Sequence, residues 1–250
     1  RHTRCGGCLA GPQPKSITTM HNNSLRSLMH VMQFSDSALP VGGFSFSNTL
    51  ESAIDVGLVH DYATLNEFSE SLLRQAATTD CIAALNAHRA TIRGDYNAII
   101  RCDKALLARK ANTEQRLMSQ RMGRKMAELC AEMTSDKSLL RLTDDIATSR
   151  TSGCYAVVQG VVFAICGIGE RELFAAICYG TAAMVLNAAL RTMRITHRQT
   201  QRILYTLAER IESIYDGIRE LDIDQMHSFS PQVDILAAIH EKGAKRLFMN

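Results

Sequence analysis

Histidine and cysteine are the residue types best suited to metal or nucleophilic chemistry, and the 250-residue chain carries eight of each. A protein metal cage needs three or four convergent imidazole or thiolate ligands. His2, His21, His30, His60, His88, His197, His227 and His240 offer no pair one helical turn apart with a third ligand nearby. Cys5 and Cys8 form a lone C-x-x-C pair in a Gly/Pro-rich lead, without the second pair that would complete a zinc site. Cys81, Cys102, Cys130, Cys154, Cys166 and Cys178 fall in apolar periodic segments, the setting of buried thiols. There is no P-loop, no G-x-G-x-x-G, no G-x-S-x-G and no H-E-x-x-H, and His240-Glu241 has no second His three residues on. These spacings predict no catalytic residues, no metal site and no cofactor.

Recognition chemistry is better supplied. Ser35 to Ser47 reads S-D-S-A-L-P-V-G-G-F-S-F-S and closes on Leu50-Glu51. Its Asp36, Pro40, Gly42, Gly43, Phe44 and Ser45 would hold backbone groups and an aromatic ring in fixed geometry, or simply form a helix–loop–helix turn capped by a serine. Residues 101–125 hold eight basic and two acidic side chains. Arg121, Arg124 and Lys125 share one helix face there, with Arg116 a turn earlier, as a solvated face or a surface for an acidic partner. Gly123 in mid-helix predicts close approach by another helix. A mirror patch lies at residues 209–224, six acids against Arg210 and Arg219. The third segment, His240-Glu241-Lys242 through Arg246-Leu247-Phe248, is a basic tail with an aromatic end, able to dock on a partner or fold back.

Helices must position these segments. Prolines stand only at 12, 14, 40 and 231, so residues 41–230 are free of the strongest helix breaker. Sustained period-2 alternation and Asn-Gly or Asp-Gly hairpin turns are missing. The pattern predicts an all-α, single-domain bundle of about ten helices over residues 22–250, behind a disordered lead or artificial extension at 1–21 with Met20 as a native start. Helices are expected at 25–34, 44–56, from an Asp61 cap through Leu85, and at 96–110, 114–133, 139–148, 154–168, 170–193, 197–218 and 231–241. Met118, Met122, Met126, Leu129 and Met133 form one apolar stripe, and Ile203, Leu207, Ile211, Ile214 and Ile218 another. Methionine stripes either fill a core or make an adaptable binding face. Residues 173–190 carry no formal charge, but Tyr179, Thr181, Asn187 and many alanines mark a buried central helix rather than a membrane span.

Composition narrows the classes further. Apolar residues are 46%, charged 21% and aromatic 6%, enough for a core and unlike a disordered chain. The net charge of +3 comes entirely from Arg1, Arg4 and Lys15, leaving 25 charges of each sign in residues 20–250. A nucleic-acid binder, which must neutralise phosphates, would be more basic. No basic segment followed by an apolar stretch opens the chain, so a reducing cytoplasmic location is expected.

The S-D-S-A-L-P-V-G-G-F-S-F-S…L-E stretch strongly resembles the first signature of the UreF family of urease accessory proteins. The E-x-R…M-G-R helix at 114–124, N-A-A-L-R at 187–191 and the H-E…R-L-F tail follow in the family's order, so the likeness spans residues 25–248. Departures are Phe46 in place of a frequent His, Asn48-Thr49 where a Gly usually precedes Leu-Glu, Arg191 where Lys is common, and Ala244-Lys245 in place of Tyr-Ser. The resemblance implies a non-catalytic, homodimeric helical protein. It would bind the accessory protein UreD (also called UreH) and recruit the GTPase UreG to apo-urease for nickel insertion, nickel being handled by the complex. By that likeness Asp36, Pro40, Gly42, Gly43, Phe44, Ser45, Glu51, Arg116, Arg121, Arg124, Arg191, His240, Arg246 and Phe248 would organise partner binding. Two other classes stay open on the residues alone. A helical enzyme with a site assembled from distant residues needs one polar pocket with strongly perturbed groups, and a ligand-sensing regulator needs a dedicated pocket or a basic recognition helix.

Overall fold

Asp61 opens the first long helix as the sequence predicts. Its carboxylate accepts the Thr64 amide at 2.9 Å while Thr64 Oγ1 accepts the Asp61 amide at 3.1 Å, a reciprocal cap. The computed structural model describes residues 25–43, 46–111, 113–230, 232–233 and 235–236. Along them run α1 (Leu25–Ser35), α2 (Leu50–Asp55), α3 (Tyr62–Ala76), a π turn (Ala77–Cys81), α4 (Ile82–Ile92), α5 (Tyr96–Arg109) and α6 (Thr113–Thr134). The chain continues through α7 (Lys137–Ala147), α8 (Tyr155–Ile165), α9 (Glu170–Thr192), α10 (His197–Ala208) and α11 (Ile211–Ile218). No strand occurs among the described residues, so the fold is an all-α bundle.

Two helices, α8 and α9, make the centre. In α8 every residue from Ala156 to Phe163 is buried, and α4, α5, α6 and α9 pack around it. The crossing with α4 is close because both helices are small there: a Cβ on Gly160 would stand 2.3 Å from Ala84 O. Among the described residues α9 is the helix long and apolar enough to cross a membrane, yet 56% of its apolar window is buried inside the bundle. Helices α1, α2, α3, α4, α8, α10 and α11 all pack on it, which is the central-helix role expected of residues 173–190.

Three expected helices come out differently. The 44–56 segment becomes helical only at Leu50, because Asn48 (φ 50°) and Thr49 (φ 68°) are both left-handed. The 197–218 segment breaks at Glu209-Arg210; its apolar stripe stays buried at Ile203, Leu207, Ile214 and Ile218, and the break lets Arg210 pair with Glu70 of α3. The helix from Asp61 widens into a π turn at Ala77–Cys81, where Thr79 Oγ1 bonds back to Gln75 O at 2.7 Å. At 231–241 only residues 232–233 and 235–236 are described, as helix; the rest of that segment, residues 1–24 with Cys5, Cys8 and Met20, Phe44, Ser45 and the tail with His240, Arg246 and Phe248 lie outside the described residues.

Thr49 gives a direct test of backbone strain. It is β-branched, 2% exposed and held at φ 68°. The left-handed region costs an L-residue about 1–2 kcal/mol and Gly almost nothing. Thr49→Gly and Thr49→Ala both remove the methyl, the hydroxyl and its 2.6 Å bond to Asn48 O. The glycine variant should nevertheless be the more stable by about 1 kcal/mol, the reverse of their order inside a helix. Chemical denaturation of both variants decides it, and an alanine variant equal to or better than the glycine one would refute the strain.

Candidate docking site

The loop between α1 and α2 is built by its own residues. Asp36 Oδ1 accepts the Ala38 amide at 2.8 Å and Asp36 O accepts the Leu39 amide at 3.0 Å, so Asp36 shapes the turn. Gly42 follows Pro40-Val41 with φ 86°, a conformation that favours glycine. Gly43 packs against two methionine ends: a Cβ there would meet Met122 Cε at 3.2 Å and Met184 Cε at 3.7 Å.

This loop is the wall between two concavities. On one side Pro40 and Gly42 line a groove with Arg121, Arg124 and Lys125 of α6, floored by Thr151 and Ser152. Arg121 and Arg124 are exposed and neither is held in an ion pair or hydrogen bond, whereas Lys125 leans on Glu128 at 3.3 Å. On the other side Asp36 and Gly43 line a cavity of about 190 Å³ that runs between α3, α6, α8 and α9, with Arg191 at its rim. Partial loss of hydration there holds the Arg191 guanidinium below its ordinary pKa.

Two predicted site residues are used differently. Glu51 is only 7% exposed on α2, packed toward the inside of the bundle. Arg116 donates from Nε to Lys110 O at 2.8 Å, closing the α5–α6 connection. The acidic stretch at 209–224 is also partly compensated: Glu212 pairs with Arg171, and Asp216 and Glu220 both face Arg219, at 3.8 and 3.6 Å.

Of three further features, only the small residue at Gly123 is read from the sequence patterns. Asp103, 1% exposed in α5, gathers the loop before α8: Oδ2 accepts Thr151 Oγ1 at 2.6 Å, Ser152 N at 2.7 Å and Gly153 N at 3.0 Å, while Oδ1 accepts Cys154 N at 2.6 Å. Gly123 then lets α6 lie on that loop, since a Cβ there would stand 1.9 Å from Gly153 O. The close approach expected at Gly123 is thus made by the loop before α8 together with the first residue of α8, Tyr155, whose N would stand 2.9 Å from that Cβ. The third is the Asp80–Lys110 pair, Nζ 2.7 Å from both carboxylate oxygens, at the cavity edge of the π turn. Asp103 did leave a trace, an acid on the same helix face as Ile99, Cys102 and Leu106.

Among the described residues no cluster of three His, Cys, Asp or Glu side chains could hold a metal ion. Burial pushes the Cys102 thiol up to about 11 and Cys130 to about 12, and raises Cys81 and Cys154 as well, so these thiols stay protonated at neutral pH and are poor nucleophiles.

Known proteins align with the chain along most of its length. The UreF family model matches residues 59–208. Urease accessory protein UreF 1 of Brucella melitensis biotype 1 is 48% identical over 227 residues, 91% of this chain and 94% of the relative. UreF 2 of Brucella abortus is 48% identical over 227 residues, 91% and 93% of the two chains. UreF of Yersinia pseudotuberculosis serotype I is 47% identical over 223 residues, 89% and 98%.

Proposed function

The chain belongs to the UreF family of urease accessory proteins, and from that premise we propose that it is a non-catalytic scaffold that binds a UreD (UreH)-type partner and recruits a UreG-type GTPase to apo-urease for nickel insertion. The observation that carries this reading is the shared groove: Pro40 and Gly42 of the signature loop and the uncompensated Arg121 and Arg124 of α6 line one surface. Two guanidiniums on a preformed backbone wall suit an acidic face of a partner, because Arg keeps its charge and offers directional donors. By the family likeness Arg191, Arg246 and Phe248 would also take part in partner binding, a homodimer would present the groove twice, and nickel would be carried by the assembled complex in the cytoplasm.

Arg121 and Arg124 can be reversed in charge without opening the core, since both are exposed and unpaired within the chain. Arg121→Glu with Arg124→Glu should melt within a few degrees of wild type while partner capture in a co-purification falls about tenfold or more, the equivalent of ~1.4 kcal/mol. Urease activity in cells carrying the double variant should fall with it. A variant that folds, still captures both partners and activates urease normally would show that the groove is an ordinary solvated surface.

A further inference from the structure

The 190 Å³ cavity contains a polar group that the bundle leaves without a partner. Gln159 of α8 is 4% exposed and lines the cavity, yet its amide makes no hydrogen bond to the protein. Its nitrogen and oxygen are not sealed in the core, unlike His88 Nδ1, so water or a ligand can reach them. Water can fill that role, and a ligand presenting a donor beside an acceptor would satisfy both ends of the amide at once.

The rest of the lining sets the character of that ligand. Of the charged side chains on the lining, Asp36, Arg109 and Arg191 are exposed, and the two at the π turn are spent on each other, with Lys110 Nζ 2.7 Å from both oxygens of Asp80. A charged group seated at the π turn would have to break that pair. The walls between are apolar and pliable: Met118 and Met122 from α6 and Met184 from α9, beside Leu72 and Ile177. Gly180 keeps α9 from filling the space, since a Cβ at Gly180 would meet nothing within 4 Å. A dry cavity of about 150 Å³ accommodates benzene, so 190 Å³ takes a compact ligand of similar ring size with a small head group.

We propose that the cavity between α3, α6, α8 and α9 binds a small uncharged ligand whose carboxamide-like head pairs with the Gln159 amide and whose apolar body lies among Met118, Met122 and Met184. The site is independent of the scaffold role, because it is formed and read in the isolated chain.

Benzamide is a suitable probe, with acetophenone lacking its N–H donors and benzoate carrying a charge. Using the full chain labelled at its methionine methyls, benzamide should shift the Met122 and Met184 resonances saturably. Acetophenone and benzoate should bind at least about tenfold more weakly, the ~1.4 kcal/mol expected for a lost hydrogen-bonded group. Gln159→Met should weaken benzamide by a similar factor. Gly180→Leu, placed in open space on a helix that gains from losing a glycine, should fold and abolish binding. The proposal is overturned if benzamide gives no saturable shift, which would mean a cavity holding water only. It is also overturned if benzoate binds more tightly than benzamide, or if Gln159→Met binds as wild type. A cavity that ignores benzamide but whose methionine methyls respond to a UreG-type or UreD-type partner would be a protein-docking groove instead, and the small-ligand reading would fail.

Discussion

Asp103→Ala should destabilise the protein by about 4 kcal/mol, measured by denaturant unfolding, with Asp103→Asn losing roughly half as much. The carboxylate accepts four donors from Thr151, Ser152, Gly153 and Cys154 in a site that water does not reach. Removing it leaves three backbone N–H groups buried without acceptors, each costing on the order of 1–3 kcal/mol less whatever water can enter the space. Asparagine keeps one acceptor oxygen, enough for the three donors on Oδ2, but turns an N–H toward the Cys154 amide. Thr151 and Ser152 floor the Arg121–Arg124 groove, so partner capture should fall with stability in both variants. An Asp103→Ala protein as stable as wild type would mean that the loop holds itself and the carboxylate merely follows it.

Gly123→Ala should cost about 3 kcal/mol, although alanine is the better helix former by about 1 kcal/mol. Its Cβ would lie 1.9 Å from Gly153 O and 2.9 Å from Tyr155 N. Both obstacles are backbone: Asp103 holds Gly153 through its amide, and Tyr155 N donates to Ser119 Oγ at 3.1 Å. Neither can swing aside as a flexible side chain would, so α6 must move off the loop. The same substitution at Gly180, in open space on α9, should have the opposite sign. Measured together, the two alanine variants separate steric exclusion from helix propensity; if both are stabilising, the contact at Gly123 is looser than its geometry. Because Asp103 and Gly123 act on one loop, the double variant should lose less than the sum of the two single losses.

Periodicity and punctuation are local properties, and what depends on them was legible in the chain alone. The Pro-free span of residues 41–230, the Asp61 cap and the stripes through Met122 and Ile203 suffice for an all-α bundle with α9 at its centre. The signature loop and the basic face of α6 could each be marked as candidates from residue types. That they line one groove could not, since nothing in the spacing between Gly42 and Arg121 brings them together; only the packing of α6 against the loop does. The backbone entry to α2 shows the same limit. Asn48-Thr49 reads as ordinary helix, and the left-handed turn appears only once Leu50 is required in the core. Glu51 was marked through the resemblance of the signature stretch, and its burial follows only from the docking of α2 on α9. Asp103, Gln159 and the Asp80–Lys110 pair depend wholly on tertiary structure. A polar side chain in a helix has the same local signature whether it faces water, a loop's amides or an empty cavity, and the difference lies in which distant backbone or side chain the fold sets beside it.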